Sequence, residues 1–179
     1  MATVIVAGMG PADVDYVPSN VRSLSQEHLT YIRTRSHPAA KMFADAESFD
    51  QIYDEADTLE HVYVDIAERL VAAAILHGSV LYLVPGSPLI AERTVELLRL
   101  EDRISVRIEP AISFLDLAWA RLGIDPVEVG VRLVDGHRFT SEIKNVVGPV
   151  LVAQCDSQFV LSDIKLSLDT DVSPRVTVL

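Results

Sequence analysis

Val80-Leu-Tyr-Leu-Val-Pro-Gly-Ser-Pro-Leu-Ile-Ala-Glu-Arg93 decides the fold. Its apolar run from Val80 to Val84, bounded by turn formers, is the pattern of a strand covered on both faces, as in a parallel sheet. The run leads through Pro85-Gly-Ser-Pro88 into a helix expected over about Leu89 to Leu98. In open α/β sheets, ligands sit beyond the carboxyl ends of such strands. The same grammar recurs where Thr3 to Ala7 runs into Gly8-Met-Gly-Pro-Ala-Asp13, and where Ile104 to Ile108 runs into Glu109-Pro-Ala-Ile-Ser113. These strand ends predict one shared crevice.

Working outward, Ser19 is the expected N-cap of a helix over Asn20 to Leu29, followed by a short strand at Tyr31 to Thr34, which makes a βαβ unit. His37-Pro38 opens a short helix to about Ala44, and Ser48-Phe49 reads as a brief strand. The acidic stretch Asp54 to Glu60 leads into a long helix. Leu59, Val62, Ile66, Leu70 and Ala73 recur there at helical spacing, and Gly78 ends it. A last helix of this half is expected over Ser113 to Leu122. Gly123-Ile-Asp-Pro126 then breaks the pattern, so the expected division is residues 1–122 and 123–179. The second part offers strands at Val131 to Val134, Val150 to Ala153 and Val176 to Leu179 and a helix near Asp163 to Leu168. That is too few elements for a sheet layered on both faces.

Composition narrows the function classes. Fifteen Lys and Arg against 26 Asp and Glu give a formal net charge of -11, which disfavours nucleic acid and anionic membranes as partners. No apolar run approaches membrane-spanning length, and the N-terminus has no basic n-region, so the expected compartment is the cytoplasm. Cys155 is the single cysteine; in an apolar strand it is expected to be buried and inert.

Familiar catalytic patterns are incomplete. Gly8-Met-Gly-Pro lacks the third glycine of a dinucleotide fingerprint, and Pro11 removes an N–H where pyrophosphate would need one. Gly86-Ser87-Pro88 lacks the second glycine of a nucleophile elbow. His28, His37, His61, His77 and His137 are scattered without metal-ligand spacing, so no metal is expected. Arg33, Arg35, His37 and Lys41 form a basic cluster that reads first as a solvated loop and second as an anion contact.

Taken together, these loops resemble the tetrapyrrole methylase family, whose members use S-adenosylmethionine. Gly8-Met9-Gly10-Pro11-Ala12-Asp13 matches the family's Gly-x-Gly-Pro-Gly-Asp opening, and Gly86-Ser87-Pro88 its Gly-Asp-Pro loop. Pro110-Ala111-Ile112-Ser113 matches its Pro-Gly-Ile-Ser segment, and Gly123-Ile124-Asp125-Pro126 its Gly-Ile-Pro hinge. Further stretches resemble the methylase-like domain that precedes MazG-type nucleotide pyrophosphohydrolases. These are Arg33-Thr34 with His37-Pro38, Pro85 to Leu89 with Ala91-Glu92-Arg93-Thr94, Ser113-Phe114-Leu115-Asp116 and Ser162-Asp163-Ile164-Lys165-Leu166.

The resemblance implies two α/β domains with a cofactor cleft between them, the second domain here incomplete and the chain a fragment of a longer protein. It implies S-adenosylmethionine as cofactor, a small-molecule methyl acceptor, a homodimer and an associated pyrophosphohydrolase. Carried over by position, Gly10 and Pro11 border the cleft, and Gly86, Ser87 and Pro88 face the methionine part. Ile112, Ser113 and Phe114 lie beside the adenosine, and Gln154 enters from the second domain. No catalytic residue is assigned; methyl transfer is a direct displacement that positioning and a dry electrostatic environment can support. Ala12 and Ala111 stand where the family carries glycines, and Ser87 where it carries an acid.

Overall fold

The computed structural model describes residues 1–144, 146–168 and 175–179. They divide into two compact units, Met1–Leu117 and Ala118–Leu179.

The first unit is a parallel α/β sheet in the order β3-β2-β4-β1-β5. Its strands are β1 (Ala2–Gly8), β2 (Leu29–Ile32), β3 (Glu47–Ser48), β4 (Ser79–Val84) and β5 (Ile104–Glu109). The central pair is in register from Thr3 opposite Ser79 to Gly8 opposite Val84, so the first and fourth strands end level. Alternation along β1 and β4 feeds two separate cores. Val4, Val6, Val80, Tyr82 and Val84 face helices α2 (Asp50–Glu55), α3 (Leu59–His77) and α4 (Arg93–Arg99). Ile5, Ala7, Leu81 and Leu83 face α1 (Ser19–Glu27) and the 3₁₀ segment Pro38–Phe43. On the first face, the Tyr31 and Phe49 rings stack at 5.4 Å, and Tyr82 meets Phe49 edge-on at 5.9 Å.

This packing places the ligand end of the sheet. The connection after β1 leaves toward one face through α1, and the connection after the adjacent β4 leaves toward the other through α4. Neighbouring strands whose connections part in opposite directions define a topological switch point, and a crevice opens beyond their carboxyl ends.

Local chemistry explains most element ends. Thr58 caps α3 by accepting from the His61 amide at 3.3 Å, and Gly78 terminates it at φ +82°, an angle glycine adopts without Cβ strain. Other boundaries differ from those expected. Pro18, not Ser19, precedes α1; Ser19 is already helical. α4 begins at Arg93 instead of Leu89, because Ile90 N–H closes a turn onto the Ser87 carbonyl at 3.1 Å and Ala91 is left-handed at φ +56°. The acidic approach to α3 contains a helix of its own, α2, which packs Ile52 into the core.

The second unit contains most of α5 (Phe114–Leu122), then α6 (Pro126–Val129), β6 (Arg132–Asp135), α7 (Phe139–Glu142), β7 (Val150–Ala153) and α8 (Gln158–Ser167). β6 and β7 pair in parallel. Asp125 caps α6 through the Val127 and Glu128 amides, and Ser157 caps α8, which starts five residues before the expected Asp163. Cys155 lies past the end of β7 and is exposed, not buried in a strand. Val176 to Leu179 form no strand, and Val176 and Val178 are exposed. Among the described residues, no helix is long and apolar enough to cross a membrane.

Candidate functional site

At the carboxyl ends of β1 and β4 the two loops are tied together. Gly86 N–H donates to the Gly10 carbonyl at 2.8 Å, and Gly10 N–H donates back to the Gly86 carbonyl at 3.3 Å. Both residues have positive φ, +78° at Gly10 and +63° at Gly86. Gly8 is required for a different reason. A Cβ there would lie 2.2 Å from the Gly86 carbonyl oxygen and 2.7 Å from the Ala111 methyl. The loops after β1, β4 and β5 therefore converge on Gly8 at contact distance.

The alanines that replace family glycines fit. Outside glycine, the described residues with positive φ are Ala91 and Gln154, so neither Ala12 nor Ala111 is forced into a glycine conformation. Ser113 starts α5 as one half of a reciprocal cap. Its N–H donates to Asp116 Oδ2 at 2.7 Å, its hydroxyl donates to the same oxygen at 3.2 Å and accepts from Leu115 N–H at 3.1 Å. This cap fixes the flanking Ile112 and Phe114, 42% and 40% exposed, as an apolar pair beside the loop. Gly86 offers open space on its Cβ side, the nearest heavy atom being Ser113 Cα at 3.8 Å. Pro88 is buried, and Pro11 and Ser87 are half-buried. Open space at Gly86 next to exposed apolar side chains suits the flat face of a nucleoside, so these residues fit S-adenosylmethionine.

Seven of the expected site residues, from Gly10 to Ser113, thus lie on the loops after β1, β4 and β5 of the first unit, and Phe114 is the first residue of α5. Gln154 lies in the second unit, exposed, directly after β7, with φ +59°. A non-glycine residue held in that region marks local strain.

The basic cluster lies on a loop exposed at Arg35, Ser36 and Pro38, and several of its side chains also bond within the protein. Arg33 Nη1 pairs with Glu92 Oε1 at 2.5 Å, and its Nε donates to the Tyr53 hydroxyl at 2.8 Å. Arg35 donates to the carbonyls of Phe43, Ala44 and Ala46. His37 Nδ1 accepts from Ala39 N–H at 3.2 Å, capping the 3₁₀ segment, and burial holds its imidazole below the usual range. Lys41 is exposed.

Glu92 is the residue that sequence reasoning missed. Its side chain is 4% exposed, and burial pushes its carboxyl up to about 7 against the pull of Arg33. With the helix read from Leu89, Glu92 falls in its first turn, where an acid is ordinary, so only the true start at Arg93 makes it stand out.

The family model of the Tetrapyrrole (Corrin/Porphyrin) Methylases matches residues 3–156, and the chain belongs to that family. It is 32% identical over 173 residues to an uncharacterized protein, YabN, of Bacillus subtilis (strain 168), covering 92% of this chain and 35% of the relative. The chain thus spans about a third of that relative's length. Its fold is similar to that of a cobalamin-biosynthesis precorrin-6Y methylase from Archaeoglobus fulgidus, with a TM-score of 0.62 at 20% identity, covering 92% of this chain and 79% of that one. A uroporphyrin-III C-methyltransferase from Thermus thermophilus in complex with S-adenosylhomocysteine is similar at TM-score 0.53 and 20% identity, covering 75% and 59%.

Proposed function

We propose that this chain binds S-adenosylmethionine at the switch point of its first unit and transfers the methyl group to a small acceptor. The observation that carries this reading is the paired Gly10–Gly86 bridge beside Ile112 and Phe114, a backbone cradle with an apolar flank at the loops that match the family. The S-adenosylhomocysteine complex of the Thermus thermophilus methyltransferase supports the choice of cofactor. When bound, the cofactor supplies an activated methyl group on a sulfonium. In this reading Gly86, Ser87 and Pro88 hold the methionine part, and Ile112, Ser113 and Phe114 exclude water beside the adenosine.

A second reading, a ligand-sensing or docking module associated with a nucleotide pyrophosphohydrolase, is favoured by the carboxylates near the loops. Asp116 accepts both Ser113 donors, and Asp13 caps the turn at Val14–Tyr16 through the Asp15 amide, while Ser87 stands where the family carries an acid. Asp116 and Asp13 are thus engaged in capping. Such a module would bind the cofactor and act through a partner.

Calorimetry with S-adenosylhomocysteine tests the common part of both readings. The parent chain is expected to bind, and Gly86→Val to lose detectable binding while retaining its circular dichroism, since Val at φ +63° is strained and its branches enter the open side. A Gly86→Val chain that binds like the parent would show that the cradle is not the site. Methyl transfer to a panel of small acceptors separates enzyme from module.

A further inference from the structure

We propose that Arg33 and Glu92 are positioning residues: their buried ion pair holds the loop 85–91 in the shape that presents Gly86, Ser87 and Pro88 to the cofactor. The proposal deepens the cofactor reading above and rests on it.

The loop is fastened at both ends by different means. At the near end, Gly86 is bridged to Gly10. At the far end, Glu92 opens α4, where an acidic side chain normally turns out to meet the free amides of the first turn. It makes no such cap bond. Instead it turns inward to Arg33, leaving the carboxylate 4% exposed. Removing an acid from water is unfavourable unless a partner compensates, so this inward turn needs an organising reason.

Arg33 is a fixed post. Its backbone N–H continues the sheet pairing onto the Leu83 carbonyl at 2.9 Å, its Nε is held by Tyr53 of α2, and its guanidinium lies over the Tyr53 ring, 6.0 Å from the centroid. The post therefore registers the loop against the ends of β2 and β4. Between the two fastenings, the chain closes the Ser87–Ile90 turn and passes through Ala91 at φ +56°. Such a conformation persists where its surroundings over-determine it. Glu92, next in sequence, supplies that constraint, and its release allows Ala91 to relax and the turn carrying Ser87 and Pro88 to move.

A merely structural pair and a positioning pair are separated by the double variant Arg33→Met/Glu92→Leu, which fills the same space without charge. Replacing a buried ion pair by apolar residues of similar volume often leaves stability unchanged. The expected result is a melting temperature within a few degrees of the parent, S-adenosylhomocysteine affinity weakened at least tenfold, and ligand-free amide exchange at Leu89, Ile90 and Ala91 accelerated at least tenfold. Parent-like affinity together with parent-like loop exchange would overturn the proposal. So would equal acceleration throughout the sheet, since that reports global loosening. Should the double variant not fold, Glu92→Gln, measured above about pH 8 where the parent carboxyl is ionised, carries the same expectations for affinity and loop exchange, while its melting temperature is expected to fall because Arg33 loses its counter-charge. A parent that binds no S-adenosylhomocysteine sinks the cofactor reading and the ligand half of this proposal. Loop exchange in the variants still decides whether the pair holds the loop.

Discussion

In the first unit, β4 is buried from Val80 to Val84 and β1 from Val4 to Gly8, each strand feeding cores on both faces. In the second, β7 is only half-buried along its length, and β6 buries Val134 alone. Large apolar side chains remain outside there, among them Phe159 at 85% and Leu166 at 83% exposed. Among the described residues the difference is one of strand number, five in the first unit and two in the second. Two strands cannot cover both faces of themselves, and a sheet needs three or more strands, or a helix layer, before burial outweighs chain entropy. The family signature concentrates in the half that can hold its loops rigid.

Core truncation should break the comparison most sharply. Phe49→Ala removes the ring that stacks on Tyr31 and meets Tyr82, and is expected to cost about 3–5 kcal/mol in denaturant unfolding. Phe139 is as thoroughly buried, at 3% exposure, but its unit has fewer buried neighbours to leave unsupported. Phe139→Ala is expected to cost about 3 kcal/mol, the low end of the range for a buried Phe. Equal losses would mean that the second unit is packed as firmly as the first.

Glycine substitutions sharpen the same contrast at loops. Gly8→Ala places a methyl 2.2 Å from the Gly86 carbonyl, a backbone atom fixed by the bridge to Gly10, and should destabilise by about 3 kcal/mol and weaken S-adenosylhomocysteine binding. Gly136→Ala meets the Val160 Cγ1 at 2.8 Å, and both the Ala153 and Gln154 carbonyl oxygens at 3.0 Å. The nearest contact is with a buried, stiff β-branched side chain and the other two are with backbone, so about 2 kcal/mol is expected, less than for Gly8→Ala with its 2.2 Å approach, and with cofactor affinity less affected. Thermal melts and calorimetry on both variants check the order, which a more destabilised Gly136→Ala would reverse.

The Glu92 carboxyl gives the first unit a pH signature. Its pKa rises from 4.5 to about 7 on folding, so the folded state holds a proton that the unfolded state releases between those values. Stability from this group is fully present below about 4.5 and is lost as pH rises through about 7. The groups around it are Arg33 from the end of β2, Tyr53 from α2 and Tyr82 from β4, with Glu96 and Arg99 of α4 lining an adjacent cavity. Both tyrosines are raised above their usual value and stay neutral in this window, and Arg33 stays charged. Relative to the parent, Glu92→Gln should show a flatter fall in unfolding free energy across this range. Parallel curves would assign the slope elsewhere.

How much of this was legible in the sequence depended on whether the deciding interaction was local. The run Val80 to Val84, the Gly78 terminator and the order of α and β elements follow from periodicity and turn chemistry, and the family from motifs in fixed sequence. The ion pair could not be read that way, since Arg33 and Glu92 are 59 residues apart and meet only because β2 and β4 are neighbours. The late start of α4 follows from the same fact, with Glu92 drawn inward and Ala91 left-handed. Cys155 went wrong at an edge: the apolar run ends at Ala153, and Gln154 turns at φ +59°, which carries the thiol out of the strand.

The smallest expected effect falls on Ser87, where the family carries an acid. Its residue is half-buried, its carbonyl accepts from Ile90 N–H at 3.1 Å, and this backbone turn forms without help from the hydroxyl. Ser87→Ala therefore leaves the loop's shape intact and removes at most one neutral hydrogen bond to a ligand. Such a bond is worth about 0.5–1.5 kcal/mol net, so S-adenosylhomocysteine affinity should fall by no more than about tenfold, and stability should stay within about 0.5 kcal/mol. Ser87→Asp makes the informative contrast, because it restores the family's acid on a backbone already fixed by Gly86, Pro88 and the Arg33–Glu92 pair. If the loop is held as the structure shows, the acid is accommodated without loss of fold, and methyl transfer to an acceptor panel becomes the readout of what the serine withholds. A Ser87→Ala chain that loses binding altogether would place the recognition in the hydroxyl and not in the glycine backbone beside it.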